Sequence, residues 1–468
     1  MLPKSITLLI LSFVALPLLA DDRPNIVFML SDDQSWNGTS VPMHPDFSFS
    51  QSEFIQTPSL RKLASQGMRF SAAYAPAPVC SPTRCSIQLG MNTARTGWTK
   101  AAPVPRNTTG LRLIPPQTAR RLSPATTTIG ELLQKAGYAT AHFGKWHLSG
   151  GGPANHGYDA SDGDIGNEHA SKFGDPNPVD IFGMASRAKE FMEKSKKANK
   201  PFFIQMSWHA LHAPENALQS TLKKYEKIAR GRAVKSGAIS EDLDTGVGRI
   251  MDAIDQLGLA KNTFLIYMSD NGGGGRKNQL RGGKGSLYEG GIRVPLIIRG
   301  PGIKPNSWSH ETVVGYDFFP TFCDWAKISQ KQRPDNLDGG SLTKLLDDEG
   351  VGKIARRREG ILFHFPHYQT SESPQSALIV DNMKLIQFYE TQKVALFDLS
   401  KDIQERNDLT KQRPKETEQL RLLLEFSLRE LGAKLPVANP RFDPSANQQG
   451  PSRNRNRNQS QRPGRSRK

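Results

Sequence analysis

Four short, largely apolar runs in this 468-residue chain each end in a cluster of polar residues. Pro24-Asn-Ile-Val-Phe-Met-Leu closes on Ser31-Asp32-Asp33, and Ala139-Thr-Ala-His-Phe on Gly144-Lys145-Trp146-His147. Pro201-Phe-Phe-Ile-Gln-Met leads to Ser207-Trp-His209-Ala-Leu-His212-Ala-Pro214, and Thr263-Phe-Leu-Ile-Tyr-Met to Ser269-Asp270-Asn271-Gly272. A short run that is apolar on both alternating faces predicts a strand covered on both sides, as in a parallel sheet between helical layers. Val294-Pro-Leu-Ile-Ile is a fifth such run. Helical patterns lie between the runs. Thr128 to Ala136 has Ile129, Leu132 and Leu133 on one face and Gly137 as a stop, and Ser240 to Leu257 repeats Leu243, Val247, Ile250, Met251 and Ile254. Strands alternating with helices predict an α/β fold: a large, mostly parallel sheet flanked by helices on both faces. In open sheets of this kind ligands bind beyond the carboxyl ends of the strands, so the four polar clusters are expected to converge on one site.

The pattern changes after about residue 355. Ile361 to Pro366, Ala377 to Asp381, Met383 to Tyr389 and Val394 to Leu399 predict strands joined by short turns, one of them Asp381-Asn382, followed by an amphipathic helix over Lys415 to Leu431. The expected division is therefore a catalytic α/β domain over 21–355, a small antiparallel-sheet subdomain with a helix over 356–436, and a tail over 437–468. The stretch 451–468 holds six Arg and one Lys with no acid, a composition that cannot bury enough apolar surface to order itself. It is either a solvated disordered segment or an anchor for a polyanion.

At the other end, Lys4, the apolar run Ile6 to Leu19 and Ala20 before Asp21-Asp22 predict a signal peptide over 1–20, and hence a secreted or periplasmic protein with no transmembrane segment after its removal. The competing reading is an anchor that is never cut, for which the run is short. A formal charge of +17 favours polyanionic partners such as nucleic acid, anionic membrane or sulfated polysaccharide. Cys80, Cys85 and Cys323 are an odd set for an exported chain, which suggests a thiol with a fate other than pairing.

The clusters carry complementary chemistry. Asp32, Asp33, Asp270 and Asn271 offer only hard oxygen ligands, and carboxylates gathered together call for a cation, Ca2+ or Mg2+ rather than zinc. Lys145, His147, His212 and Lys284 supply the positive charge that holds a tetrahedral anion and a proton for a leaving oxygen. Cys80-Ser-Pro-Thr-Arg-Cys-Ser-Ile-Gln-Leu-Gly reads as a helix start, with Pro82 in the first turn and Gly90 as the stop. Its N-terminus is a natural anion site. Cys80 there is either a thiolate nucleophile or, more compatibly with a hard metal, the precursor of an oxygen nucleophile.

Cys80-Ser81-Pro82-Thr83-Arg84 matches the C-x-P-x-R signature, and with Gly144-Lys145-Trp146-His147, the His212-Ala-Pro214 segment, Ser269-Asp270-Asn271-Gly272-Gly273 and Lys284 to Pro295 the chain resembles the type I sulfatases of the alkaline-phosphatase-like superfamily. The resemblance implies that a separate formylglycine-generating enzyme oxidises Cys80 to formylglycine. The aldehyde hydrates, one hydroxyl attacks the sulfur of a sulfate ester and the second expels sulfate. It also implies that Asp32, Asp33, Cys80, Asp270 and Asn271 hold the metal, usually Ca2+. Arg84 and His147 would then serve the hydrate, Lys145 and Lys284 the sulfate oxygens, and His212 the leaving group, with His209 the weaker candidate. The expected substrate is a sulfated polysaccharide or oligosaccharide, with no nucleic acid partner, and His364 and His367 are candidates to line a sugar subsite. Cys85 and Leu89 stand where the family often has Ala and Thr, and the Arg-rich tail lies outside its pattern. The Gly272 to Gly275 run is not a phosphate loop, because the glycine required five residues before Gly283 is absent. A phosphodiesterase or phosphonate monoester hydrolase of the same superfamily, and a non-catalytic polyanion-binding protein, are the alternatives. Pairing of Cys85 with Cys323 is left open.

Overall fold

The Asn25–Ser31 strand lies inside an eight-stranded sheet in the computed structural model, which describes residues 22–273, 279–369 and 372–448. The expected signal peptide 1–20, the basic stretch 451–468 and the end of the Gly272 to Gly275 run lie outside those residues. Across the sheet the strands run Ser307–Ser309, Met68–Phe70, Leu296–Arg299, Thr263–Ser269, Asn25–Ser31, Phe202–Ser207, Ala139–Gly144 and Ala160–Ser161. Leu296–Arg299 is antiparallel to both its neighbours, and every other pairing is parallel.

The lack of alternation in the apolar runs has a direct cause. Ile26, Phe28 and Leu30 enter a core with Ile129, Leu133, Phe318 and Phe322 on one face. Val27 and Met29 enter a second core with Ile181, Met184, Val247 and Ile250 on the other. Both layers are helical. The first includes Ile129–Lys135, whose Thr128 and Glu131 form a reciprocal cap, and Phe318–Trp325. The second includes Ile181–Lys197 and Arg232–Gln256. The last of these begins eight residues before the expected Ser240, because Gly237, Ala238 and Ile239 are also buried there. The strand expected at Val294 starts instead at Leu296, since Val294 N bonds Ala73 O and Pro295 has no N–H to offer the ladder.

The register is what levels the strand ends. Ser31 pairs with Ser269, Leu30 with Ser207, and Ser207 with Gly144. The residues that follow each strand therefore emerge side by side at one edge of the sheet.

The second sheet has the strands Ile361–Phe365, Gln375–Val380, Met383–Phe388 and Lys393–Asp398, antiparallel in chain order, with Asp381 at a φ of 49° in the tight turn. Leu420, Leu424 and Leu428 of the Pro414–Glu430 helix cover one face. The other face packs Phe363, Phe365, Ile379 and Phe397 on Tyr74, Leu287, Ile292 and Tyr316 of the main body. Lys384, fully buried, crosses this junction to Glu289 at 2.8 Å and Glu405 at 2.9 Å. Cys85 and Cys323 are free and buried, so they do not pair.

Two expectations need correction. The composition of residues 437–448 predicts part of the tail, yet Val437–Ala438 pairs with Leu113–Ile114, and Asn439 Nδ2 donates to Thr108 O and Leu111 O. Backbone pairing holds this segment where apolar burial does not. His364 and His367 do not line an open subsite. Both are buried, His364 between Ser376 Oγ at 2.7 Å and Lys434 O at 3.2 Å, and His367 against Thr99 Oγ1 at 2.7 Å. Among the described residues no helix is long and apolar enough to cross a membrane.

Candidate active site

Cys80 is the first residue of the buried helix Cys80–Leu89, whose N-terminal end meets Asp32 and Asp33. The helix stops at Gly90, whose φ of 64° suits glycine and whose added Cβ would lie 2.8 Å from the Phe319 ring. The Cys80 thiol donates to Asp32 Oδ1 at 3.3 Å and faces Asp33 Oδ1 at 3.9 Å. Burial, reinforced by the carboxylates of Asp270 and Asp32, pushes this thiol well above its ordinary range.

One donor atom each from Asp32, Asp33, Cys80 and Asp270 falls within 4.8 Å of all the others. Asn271 Nδ2 donates to Asp33 Oδ1 at 2.7 Å and to Gly272 O at 2.9 Å. These bonds orient the amide and leave Asn271 Oδ1 a buried acceptor without a partner among the described residues. Clustered carboxylates plus an orphaned amide oxygen fit a hard cation. Burial and the neighbouring Asp32 push Asp270 up to about 6. Asp32 goes the other way: burial would raise it, but Lys145, Arg84 and Lys284 outweigh that and hold it well below the usual carboxylate range.

The cations interlock with the acids. Arg84 donates twice to Asp270 Oδ2, at 2.7 and 3.1 Å, once to Lys145 O at 2.8 Å, and lies 3.5 Å from Asp32. Lys145 pairs with Asp32, and Lys284 with Asp33 at 2.7 Å. His212 Nε2 stands 4.0 Å from Asp33 Oδ2, with its Nδ1 2.8 Å from Ala213 O. His147, at a φ of 58°, is pushed down to about 3 by burial and by Lys145 and Arg84. Asp33 shares that left-handed conformation, at a φ of 59°. Two non-glycine residues held this way in one site is strain sustained by their surroundings.

Every residue singled out in the sequence for metal binding or catalysis thus lies in one cluster: Asp32, Asp33, Cys80, Arg84, Lys145, His147, His212, Asp270, Asn271 and Lys284. His209 is nearby but sealed in, with neither ring nitrogen bonded within the described residues. Asn167, which no sequence feature singles out, also reaches the cluster. Its Nδ2 lies 3.3 Å from His212 Nε2, and its loop reaches the site because Trp146 N and His147 N both donate to Ile165 O. No periodicity or motif in residues 157–172 signals this.

Residues 24–328 match the family model for sulfatases, and residues 283–434 that for the C-terminal part of N-sulphoglucosamine sulphohydrolase. A sulfatase of Formosa agariphila is 27% identical over 479 residues, covering 84% of this chain and 86% of that protein. Human arylsulfatase A is 29% identical over 392 residues, covering 74% and 71%. Among solved structures, Ps i-CgsB in complex with k-i-k-neocarrahexaose aligns with a TM-score of 0.71 at 22% identity, over 87% of this chain and 93% of that one. The phosphonate monoester hydrolase of Agrobacterium radiobacter shares the fold, with a TM-score of 0.65 at 16% identity, over 89% and 100%. With a family match across most of the described chain and a complete acid, base and nucleophile set at one sheet edge, the chain belongs to the sulfatase family and is a sulfuric ester hydrolase.

Proposed function

We propose that the protein hydrolyses the sulfate ester of a sulfated carbohydrate, with Cys80 acting after conversion to formylglycine. The observation that carries the second half is the state of the thiol. Buried among three carboxylates and driven far up in pKa, Cys80 is a poor thiolate nucleophile. An oxygen function at the same position suits both the hard ligands and the attack on sulfur. When formed, formylglycine supplies an oxygen nucleophile that is regenerated at each turnover. The carbohydrate half is supported by the match to the N-sulphoglucosamine sulphohydrolase C-terminal model and the likeness to Ps i-CgsB.

Asp32, Asp33, Asp270, Asn271 and the oxidised side chain at 80 would hold the cation, Ca2+ before Mg2+. Bound there, it supplies Lewis acidity toward the sulfate oxygens. Arg84 keeps Asp270 and Asp32 in place. Lys145 and Lys284 neutralise the sulfate as it docks, each now resting on an aspartate. His147 lies beside Lys145 and Arg84 to assist at residue 80. His212, the more exposed of the two histidines after the Phe202–Ser207 strand, hands a proton to the leaving oxygen. The Cys80–Arg84 segment is buried in the folded chain, so a formylglycine-generating enzyme must read it before the domain closes. The apolar N-terminus supports export, and the change of pattern near residue 355 supports a catalytic unit followed by a smaller one.

The test is the mass of the tryptic peptide carrying Cys80, from protein made by its own host, together with rates on matched sulfate and phosphate esters of one sugar. An aldehyde in place of the thiol and a preference for sulfate are expected. An unmodified thiol in active protein removes the formylglycine step, and a preference for phosphate moves the chain to the phosphonate hydrolase branch.

A further inference from the structure

The helix Arg232–Gln256 runs from the loop after Phe202–Ser207 to the start of Thr263–Ser269. It is therefore antiparallel to the strands, and its N-terminal end lies at their carboxyl edge, the same end as the active site. At 25 residues it is about 37 Å long, against about 23 Å for a seven-residue strand, so its length allows its first turns to stand above that edge. The short helix Gln219–Glu226 packs beside it, through Tyr225 against Gly237, and follows the His212 loop directly. Asp242 fixes this junction, accepting from Leu218 N and Thr221 Oγ1, each at 2.7 Å.

From Lys223 to Lys235 this corner carries six basic residues and a single acid, Glu226. Lys224 is answered by Glu241 at 2.7 Å. Lys223, Lys227, Arg230, Arg232 and Lys235 are exposed, and among the described residues none has a carboxylate within ion-pair distance. Arg230 donates to the carbonyls of Glu226 and Ala229, and no carboxylate among the described residues compensates its charge. The Lys353–Arg358 run is a contrast, because most of its cations are answered by carboxylates. Arg356 and Arg358 of the Lys353–Arg358 run are paired with Asp317 and Asp338, and Lys353 with Glu311 and Asp381.

We propose that this corner is a docking surface for a sulfated polysaccharide chain, which it holds beside the active site so that successive sulfates reach Cys80. The inference rests on the reading of the substrate as a sulfated carbohydrate and adds that the substrate is a polymer held outside the catalytic pocket. Unpaired cations at the active end of the molecule concentrate such a polyanion where its esters are cleaved. The position beside a sulfate-ester site is what favours this partner over nucleic acid.

The experiment compares the full chain with the variant Lys223→Gln, Lys227→Gln, Arg232→Gln and Lys235→Gln, side chains that make no internal bond among the described residues. A control variant, Lys194→Gln, Lys197→Gln and Lys200→Gln, removes charge near the C-terminal end of Ile181–Lys197, which leads to the opposite edge of the sheet. Three readouts are taken: salt needed for elution from immobilised heparin and from immobilised duplex DNA, kcat/KM on a small aryl sulfate, and KM on a desulfatable polymer. The corner variant is expected to leave heparin at lower salt and to raise the polymer KM at least about five-fold in low salt, shrinking as salt is added. Its aryl sulfate turnover and the control's polymer KM should match the wild type. Unchanged heparin elution, an equal rise in KM for the control, or weakened DNA binding with an unchanged polymer KM would each overturn the proposal. If the wild type cleaves aryl sulfates but no sulfated carbohydrate, the substrate reading fails instead, and heparin elution still measures the corner.

Discussion

Arg84 shows how one side chain can serve fold and site together. It is fully buried and links two of the clustered acids to the backbone of Lys145. Removing it leaves Asp32 and Asp270 with less compensation, so Arg84→Ala should lose about 3–5 kcal/mol in denaturant unfolding as well as activity. Arg84→Lys should recover part of the stability but not the forked contact to Asp270. Asn271 tests the cation site without touching a charge. If its orphaned Oδ1 is a ligand, Ca2+ should stabilise the wild type by about 2.7 kcal/mol at a hundredfold excess over Kd, seen as a higher melting temperature. Asn271→Ala should need far more Ca2+ for the same rise, read in thermal scans with and without chelator. Most residue types here were legible in the sequence because they follow a strand or open a helix, whereas Lys284 was marked by the family resemblance. Asn167 was not legible, since it opens a short 3-10 helix that reaches the site only through the folding of the connection before it.

Single elements carry their own consequences. The Cys80–Leu89 helix must end at Gly90, because a side chain there meets Phe319 and Leu337 and a left-handed φ. Gly90→Ala should cost about 1–2 kcal/mol from backbone conformation alone, and more from the overlap, measured as a lower denaturant midpoint. In the second sheet, burial pushes His364 down to about 4, against an unfolded value near 6.5. Folding therefore favours the neutral ring. Its contribution is complete above about pH 6.5 and is lost as pH falls to about 4, a loss on the order of 3 kcal/mol. Urea midpoints at pH 7 and pH 4 should show a shallower fall for His364→Gln than for the wild type, and an identical fall would assign acid sensitivity elsewhere. The sequence placed this strand correctly, but the short apolar run that marks it cannot tell an inward histidine from one facing a ligand.

At the scale of the molecule, the second sheet is fastened to the first by apolar packing and by Lys384, whose ammonium lies between Glu289 and Glu405. Lys384→Met keeps the volume but leaves two buried carboxylates facing each other. It should destabilise the whole chain by about 3–5 kcal/mol, and the two sheets should unfold in one transition, as followed by calorimetry.

Sequence alone determined which stretches are strands, because an unbroken apolar run has no stable place except between two covering layers. It also marked which residues would gather at one edge of the sheet, because acids, lysines and a helix-opening cysteine recur in a family's order. The tertiary structure decided the rest. Only the register that levels Ser31, Ser207, Ser269 and Gly144 brings four distant clusters within bonding range. Only packing shows that His364 and His367 are closed in, that Asn439 ties down a segment whose composition reads as a tail, and that Lys223, Lys227, Arg230, Arg232 and Lys235 have no carboxylate partner among the described residues. These are facts of which groups meet, and local sequence carries the identity of a group but not its neighbours.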